Sequence, residues 1–438
     1  MLHARPLLEH LLDVALQAAD PRRATARVVA ELPLRTAPGV IAIGKAAAGM
    51  ALGALDALAE RGLTPTRGVV VSHTGEPATI GGLPHLLGSH PLPDERSRCA
   101  AETLAEVAGQ ARRLDDVLVL VSGGTTSLVA QAIPGSPIED LRPTFDALLR
   151  SGLAIQPMNL LRRRLLRWGA GRLAAALAPA HIHCLIVSDV MGSDLASIGS
   201  GPCVRDPATA EDVRAAFVAA APSLPSSIRD DLGRAIHHAS VEPPVPGGAR
   251  FDRVQTRVIL ENRHALAAVR EAARAARLAV IEEPPADVSG EAADVGVALA
   301  RSLAAAQRSL GAGERRLWIG GGEPTVTIPA GAQGRGGRCQ ELALACALEW
   351  HALGARSITL LAAGTDGRDG PTDAAGAVVD AHTIDAIRNA GRDPRADLRA
   401  HDSGNALDAA GALLLTGPTG TNVNDVVLAL IEHPADQP

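Results

Sequence analysis

Five short apolar runs in this chain each end in a loop rich in glycine and hydroxyl side chains. The loops read IGKA from Ile43, VSGGTTS from Val121, GGGEPTV from Gly320, AAGTDGRDG from Ala362 and LTGPTGTN from Leu415. The best of the runs, at 40–43, 117–121 and 183–188, are continuously apolar rather than alternating, as expected of strands buried on both faces in a parallel sheet. Helical patterns separate them, so the chain reads as a doubly wound α/β fold. In such sheets ligands bind beyond the carboxyl ends of the strands. Glycines there bring backbone N–H groups close to an anion, and a following helix N-terminus adds a favourable dipole. The loops therefore point to an enzyme that handles phosphate.

At 438 residues the chain is too long for one ordinary core, and two domains are expected. The opening segment forms a helix with Leu8, Leu11, Leu12 and Ala15 on one face. Strands follow at 40–43, 69–72, 117–121 and 183–188, with helices at 46–60, 100–113 and 141–153; 73–93 reads as a Gly/Pro/His-rich loop. The segment 241–250, VEPPVPGGAR, neither propagates a helix nor pairs in a sheet, and it marks the main boundary. The second half opens with a strand at 254–260, then helices at 264–277, 291–309 and 340–350 and a short strand at 279–282. The expected domains are thus 1–240, a Rossmann-like doubly wound sheet, and 251–438, a second α/β domain whose last segment, after about 413, is free to pack on the first.

The net charge of −6 shows no basic stripe, which argues against a nucleic-acid partner. Aromatic residues are 1% and tyrosine is absent, so no Tyr hydroxyl can serve in catalysis. The five scattered cysteines form no CxxC pair, which disfavours a zinc site or disulfide framework and fits a reducing cytoplasm. No stretch is apolar enough to cross a membrane, and a soluble cytoplasmic protein is expected.

Lys45 is the only lysine in the chain. An ammonium is a compact point charge, whereas a guanidinium is a planar fork. Residues 39–45 match the first seven positions of GxxxxGK, but Ala46 stands where the magnesium-binding hydroxyl belongs, and 40–43 are the apolar strand itself. Lys45 is therefore a point charge without a P-loop. Ser122-Gly123-Gly124-Thr125 reads as a phosphate loop or as a simple capped turn. The GxGxxG fingerprint of a nicotinamide site is missing. Asp189, Asp194, Glu323, Asp366 and Asp369 could hold magnesium or orient a hydroxyl, though each could equally form a turn. Arg162, Arg163, Arg164 and Arg167 are either cations for an anionic substrate or a solvated helix face. Arg338 opens a helix, where the dipole disfavours a cation, so it needs a separate reason. The histidines lack metal-ligand spacing and read as surface or core.

Together these stretches resemble the glycerate 2-kinase family of the MOFRL type, often labelled hydroxypyruvate reductase. The similarity covers IGKAAAGMA at 43–51, VSGGTTSLV at 121–129, SDVMGSDLASIGSGP at 188–202, GGEPTVT at 321–327, GRGGRCQELALA at 334–345, AAGTDGRDGPTDAAGAVVD at 362–380 and TGPTGTNVNDVVL at 416–428. The resemblance implies ATP- and Mg2+-dependent phosphorylation of the 2-hydroxyl of D-glycerate, and two α/β domains with the active site in the cleft between them. It places Lys45 and Arg338 toward substrate and phosphate. Ser122, Gly123, Gly124 and Thr125, with Gly321, Gly322, Glu323 and Asp366, would serve the nucleotide. Asp189 would orient the substrate hydroxyl, and Asp189 and Asp194 would hold the metal. A homodimer is compatible with it. The family's usual Asn after GGR is Cys339 here, and the lysines, histidine and serine usual within 159–172 are replaced, with Arg163 and Arg164 at two of those sites. A related sugar acid as substrate, a hydroxypyruvate reductase and a non-catalytic nucleotide-binding homologue are the alternatives.

Overall fold

The computed structural model describes residues 3–76, 78–190, 192, 194–241, 251–281, 287–329, 331 and 333–433. Two compact units emerge: Pro21–Leu260, and Met1–Asp20 together with Glu261–Pro438. This differs from the expected division at both ends. The first helix belongs with the second unit, and the strand at 254–260 belongs to the first sheet. Most of the expected boundary, residues 242–250, lies outside the described residues. An apolar strand carries no mark of which sheet it will join, and the strand after this segment pairs in parallel with the one that precedes it in the first sheet.

In Pro21–Leu260 the strands are β1 (Gly39–Ile43), β2 (Gly68–Ser72), β3 (Ala78–Ile80), β4 (Leu83–Leu87), β5 (Asp116–Val121), β6 (His181–Val187) and β7 (Val254–Leu260). They lie in the order β3-β4-β2-β1-β5-β6-β7. All neighbours are parallel except β3, which runs antiparallel to β4. The six parallel strands thus have the order of a doubly wound dinucleotide-binding sheet. Val40, Ile41, Ala42 and Ile43 are all fully buried, because both faces of β1 are covered. Ile41 and Ile43 share a core with Val69, Val119, Leu104 and Leu173. The segment 73–93, expected to be a loop, contains β3 and β4. Pro84 and the alternation of buried Leu83 and His85 with exposed Pro84 conceal them.

From β1 the chain moves outward to β2 and β4; from β5 it moves the other way to β6 and β7. The winding reverses between β1 and β5, which opens a crevice beyond their carboxyl ends.

The other unit has a mixed sheet. Its strands are β8 (Ala279–Ile281), β9 (Asp287–Val288), β10 (Arg315–Gly322), β11 (Ile358–Gly364), β12 (Gly376–Val379), β13 (Leu413–Leu414) and β14 (Asp425–Glu432). The order is β13-β12-β11-β14-β10-β8, with β9 also paired to β10. The last strand, β14, lies between β10 and β11 and antiparallel to both, so the final segment completes this sheet. The helices Ala292–Gln307 and Arg338–Leu353 pack together and build a core with Trp318, Leu360, Val427 and Ile431. The expected face of the first helix, Leu8, Leu11, Leu12 and Ala15, is its buried face, and that helix packs on Asn262–Ala275.

Candidate active site

At the reversal in the first sheet, the loops after β1 and β5 are fastened into one body. Ser122 N–H donates to the Ile43 carbonyl at 3.0 Å, and Lys45 N–H donates to the Gly123 carbonyl at 2.8 Å. The Ala46 N–H donates to Ser122 Oγ at 3.0 Å. Thr125 Oγ1 donates to the carbonyls of Ile43 at 2.9 Å and Ser122 at 2.8 Å. Gly44 has φ +133°, and a β-carbon there would stand 2.1 Å from Ser122 Oγ, so only glycine admits this approach. The hydroxyls of Ser122 and Thr125, expected at a phosphate, are therefore buried braces for the turn that carries Lys45. What the loop presents instead is backbone. Among the hydrogen bonds of the described residues, the N–H groups of residues 123–126 have no acceptor.

Three side chains gather here. A β-carbon on Gly123 would lie 1.7 Å from Oδ2 of Asp189, the residue two beyond β6. One on Gly124, φ +86°, would lie 3.3 Å from Cγ of Lys45 and 3.2 Å from Cδ2 of His90. His90 also meets the His73 ring edge-on, with centroids 6.4 Å apart. His90 is an exposed residue, yet desolvation by the atoms around it, then the charges of Lys45, His73 and Arg162, push its pKa down to about 4. The reading of the histidines as surface or core residues did not reveal that His90 stands beside the Lys45 loop. The usable signal was a histidine in a loop just beyond a strand end. Asp194 is different: it is exposed, and its carboxylate accepts from the Ala196 N–H at 3.1 Å and from the Ser197 hydroxyl, forming a turn. Among the described residues no three His, Cys, Asp or Glu side chains group as for a metal ion.

The arginine run lies on the helix Ile155–Leu165 and is not a solvated face, because Arg162, Arg163 and Arg164 are all buried. Arg163 pairs with Asp206 Oδ1 at 2.8 Å and Arg164 with Asp206 Oδ2 at 2.7 Å. Arg162 lies over the Phe145 ring, 5.0 Å from its centroid.

In the other unit, Asp425 opens β14 opposite the last residues of β10 and β11, Gly322 and Gly364. Its fully buried carboxylate receives Arg338 Nε at 2.6 Å and Nη2 at 2.8 Å, while Arg338 Nη1 donates to Glu323 Oε1 at 2.9 Å. Here is the reason for an arginine at a helix start. Burial alone would lower the guanidinium's pKa; the bonds and charge of Asp425, then Glu323, outweigh it and hold Arg338 a cation. Asp425 itself was not visible as a site residue, since it sits in TNVND without a glycine beside it. Asp366 is close enough to act on Asp425 electrostatically. Asp369 accepts from the N–H groups of Cys339 at 3.1 Å and Gln340 at 2.8 Å; burial nevertheless pushes its carboxyl up to about 7. Gly321 and Gly322, expected in a phosphate loop, are instead inside β10, paired on both sides. Their β-carbons would strike Asn262 Oδ1 at 2.3 Å and the Val288 carbonyl at 2.4 Å, so they are glycine to let the sheet close.

The six parallel strands thus define a doubly wound α/β protein, with Lys45, the N–H groups of residues 123–126 and Asp189 gathered at the switch point of its sheet. Residues 7–233 match a family described as a domain of unknown function, DUF4147, and residues 316–425 match the MOFRL family. A relative from Agrobacterium vitis, named provisionally a hydroxypyruvate reductase, is 39% identical over 98% of this chain and 94% of its own length. The glycerate 2-kinase of Pyrococcus horikoshii is 35% identical over 96% of each chain. The crystal structure of a glycerate kinase from Thermotoga maritima superposes with a TM-score of 0.81 at 32% identity, covering 97% of this chain and 99% of that one. This chain belongs to the glycerate 2-kinase family of the MOFRL type.

Proposed function

We propose that this protein transfers the γ-phosphoryl group of ATP to the 2-hydroxyl of D-glycerate, giving 2-phosphoglycerate. The observation that carries the reading is the meeting of Lys45, the free N–H groups of residues 123–126 and Asp189 at the sheet's switch point, in a member of this family. Phosphoryl transfer is mainly positioning and charge stabilisation. Lys45 supplies a compact positive charge for the moving phosphoryl group, and the N–H groups of Gly123, Gly124 and Thr125 receive phosphate oxygens. Asp189, held against Gly123, orients the acceptor hydroxyl. Ser122 acts by fixing the Lys45 turn.

Mg2+ keeps several waters and is held by one or two carboxylates together with substrate phosphates. Asp189 suits that donor set; Asp194 is engaged in its own turn. When bound, the ion would neutralise charge on the phosphates. In the other unit, Arg338 has three of its N–H donors on Asp425 and Glu323, and its remaining donors face phosphate in this reading. Asp366 and Glu323 border that group, while Gly321 and Gly322 act through the shape of the sheet end. All five cysteines are free thiols, in keeping with a cytoplasmic enzyme.

Purified protein given D-glycerate, ATP and magnesium should form 2-phosphoglycerate. Failure to form a phosphoester from any of several sugar acids would contradict the reading. Oxidation of NADH by hydroxypyruvate would favour the reductase instead.

A further inference from the structure

Three consecutive arginines are buried on one helix, and only two have a carboxylate. Asp206 serves Arg163 and Arg164 together. Arg162, 8% exposed, has no ion pair among the described residues. Its Nη2 makes one long bond, 3.4 Å, to the Phe145 carbonyl, its Nε has no acceptor, and its Cζ stands 5.0 Å from the centroid of the Phe145 ring. A buried guanidinium without a counter-charge is expensive to maintain. Desolvation accordingly pulls its pKa down to about 10. The missing counter-charge has an evident source. Lys45 and His90 stand beside Gly124, His73 meets the His90 ring edge-on, and Arg162 is near enough to act on His90 electrostatically, so cationic or potentially cationic groups share this region. A neighbouring carboxylate on the same helix face would have been as easy to encode as Asp206.

We propose that Arg162, buried with its Nε unpartnered, forms the subsite that receives the carboxylate of the acceptor, leaving its hydroxyl end to Asp189 and Lys45. Planar guanidinium and planar carboxylate match as a bidentate pair. The Phe145 ring, 5.0 Å away, and the Phe145 carbonyl are the contacts that position the guanidinium. Arg162 is then the residue that selects a 2-hydroxy acid over a neutral polyol. The inference rests on the kinase reading only for the identity of the ligand.

The test is calorimetric binding of D-glycerate and of its uncharged counterpart, D-glyceramide, to the full chain and to its Arg162→Lys and Arg162→Met variants. Transfer from ATP is measured separately on the wild type. The wild type should bind D-glycerate at least 10-fold more tightly than the amide. Arg162→Met should weaken D-glycerate by about 10- to 100-fold, leave the amide unchanged and so erase the preference, with ATP binding retained. Arg162→Lys keeps charge but loses the fork, and should weaken D-glycerate several-fold without altering the amide. Should Arg162→Met fail to fold, the lysine variant decides. Retained preference in either folded variant, or a wild type that binds neither compound, would overturn the subsite. A wild type that binds D-glycerate selectively but transfers no phosphate would remove the kinase reading and leave the subsite standing.

Discussion

Ser122 Oγ accepts the backbone N–H of Ala46 at 3.0 Å, so the loop after β5 holds the turn from which Lys45 projects. The hydroxyl is buried, and its removal leaves a buried donor without a partner. Ser122→Ala should cost about 1–3 kcal/mol of stability. It should also lower kcat more than it raises KM for nucleotide, since what it loosens is the position of Lys45. Urea unfolding and steady-state kinetics on the same preparation check both parts.

Gly123 leaves no room for a side chain against Asp189. Asp189 is only partly buried, so a methyl group there should displace the carboxylate rather than unfold the chain. Gly123→Ala should therefore cut kcat by at least 10-fold while the melting temperature moves by a few degrees. Thermal unfolding beside kinetics distinguishes this from general damage.

The Arg338–Asp425 pair predicts the opposite balance. Asp425 is fully buried and Arg338 is about one third exposed. Removing one partner of a buried pair costs about 3–5 kcal/mol, and partial exposure of Arg338, with Glu323 still beside it, places Asp425→Ala near the lower end. A shift of the urea midpoint with unchanged slope is the expected record.

His90 gives the pH dependence its sign. Its folded pKa is pushed down to about 4, against about 6.5 in an unfolded chain. Well above pH 6.5 neither state binds the proton and His90 leaves stability unchanged. As pH falls from 6.5 toward 4, the unfolded chain takes up a proton that folded His90 refuses, and stability is lost. The wild type should lose more stability than His90→Asn between pH 7.5 and 5. Because His90 is an exposed residue, the difference should be modest. Equal losses would refute the assignment.

The parallel strands and their loops were legible in the sequence because burial on both faces leaves uninterrupted apolar runs. The placing of Lys45, Gly123, Gly124 and Asp189 just past such runs was legible for the same reason, and the structure brings these four together. Their roles were less so: nothing in SGGTT tells a phosphate-facing hydroxyl from one turned back onto a neighbouring carbonyl, as in Thr125. Gly321 and Gly322 misled because a glycine needed for backbone approach within a sheet looks like one needed in a loop. The arginine run concealed its burial, since the carboxylate that pairs with Arg163 and Arg164 lies about forty residues further on. Asp425 was hidden at the start, not the end, of an antiparallel strand.

Lys45 is where these lines meet, and the absence of any other lysine makes it directly addressable. The decisive measurement is the rate of phosphoryl transfer from ATP to D-glycerate by the wild type, Lys45→Ala and Lys45→Arg. Loss of one group that stabilises transition-state charge typically costs about 10²–10³-fold. Both variants should lose at least about 100-fold in kcat with the fold and ATP binding intact, the arginine failing because its fork does not replace a point charge. A Lys45→Ala protein that transfers phosphate at the wild-type rate would contradict the account.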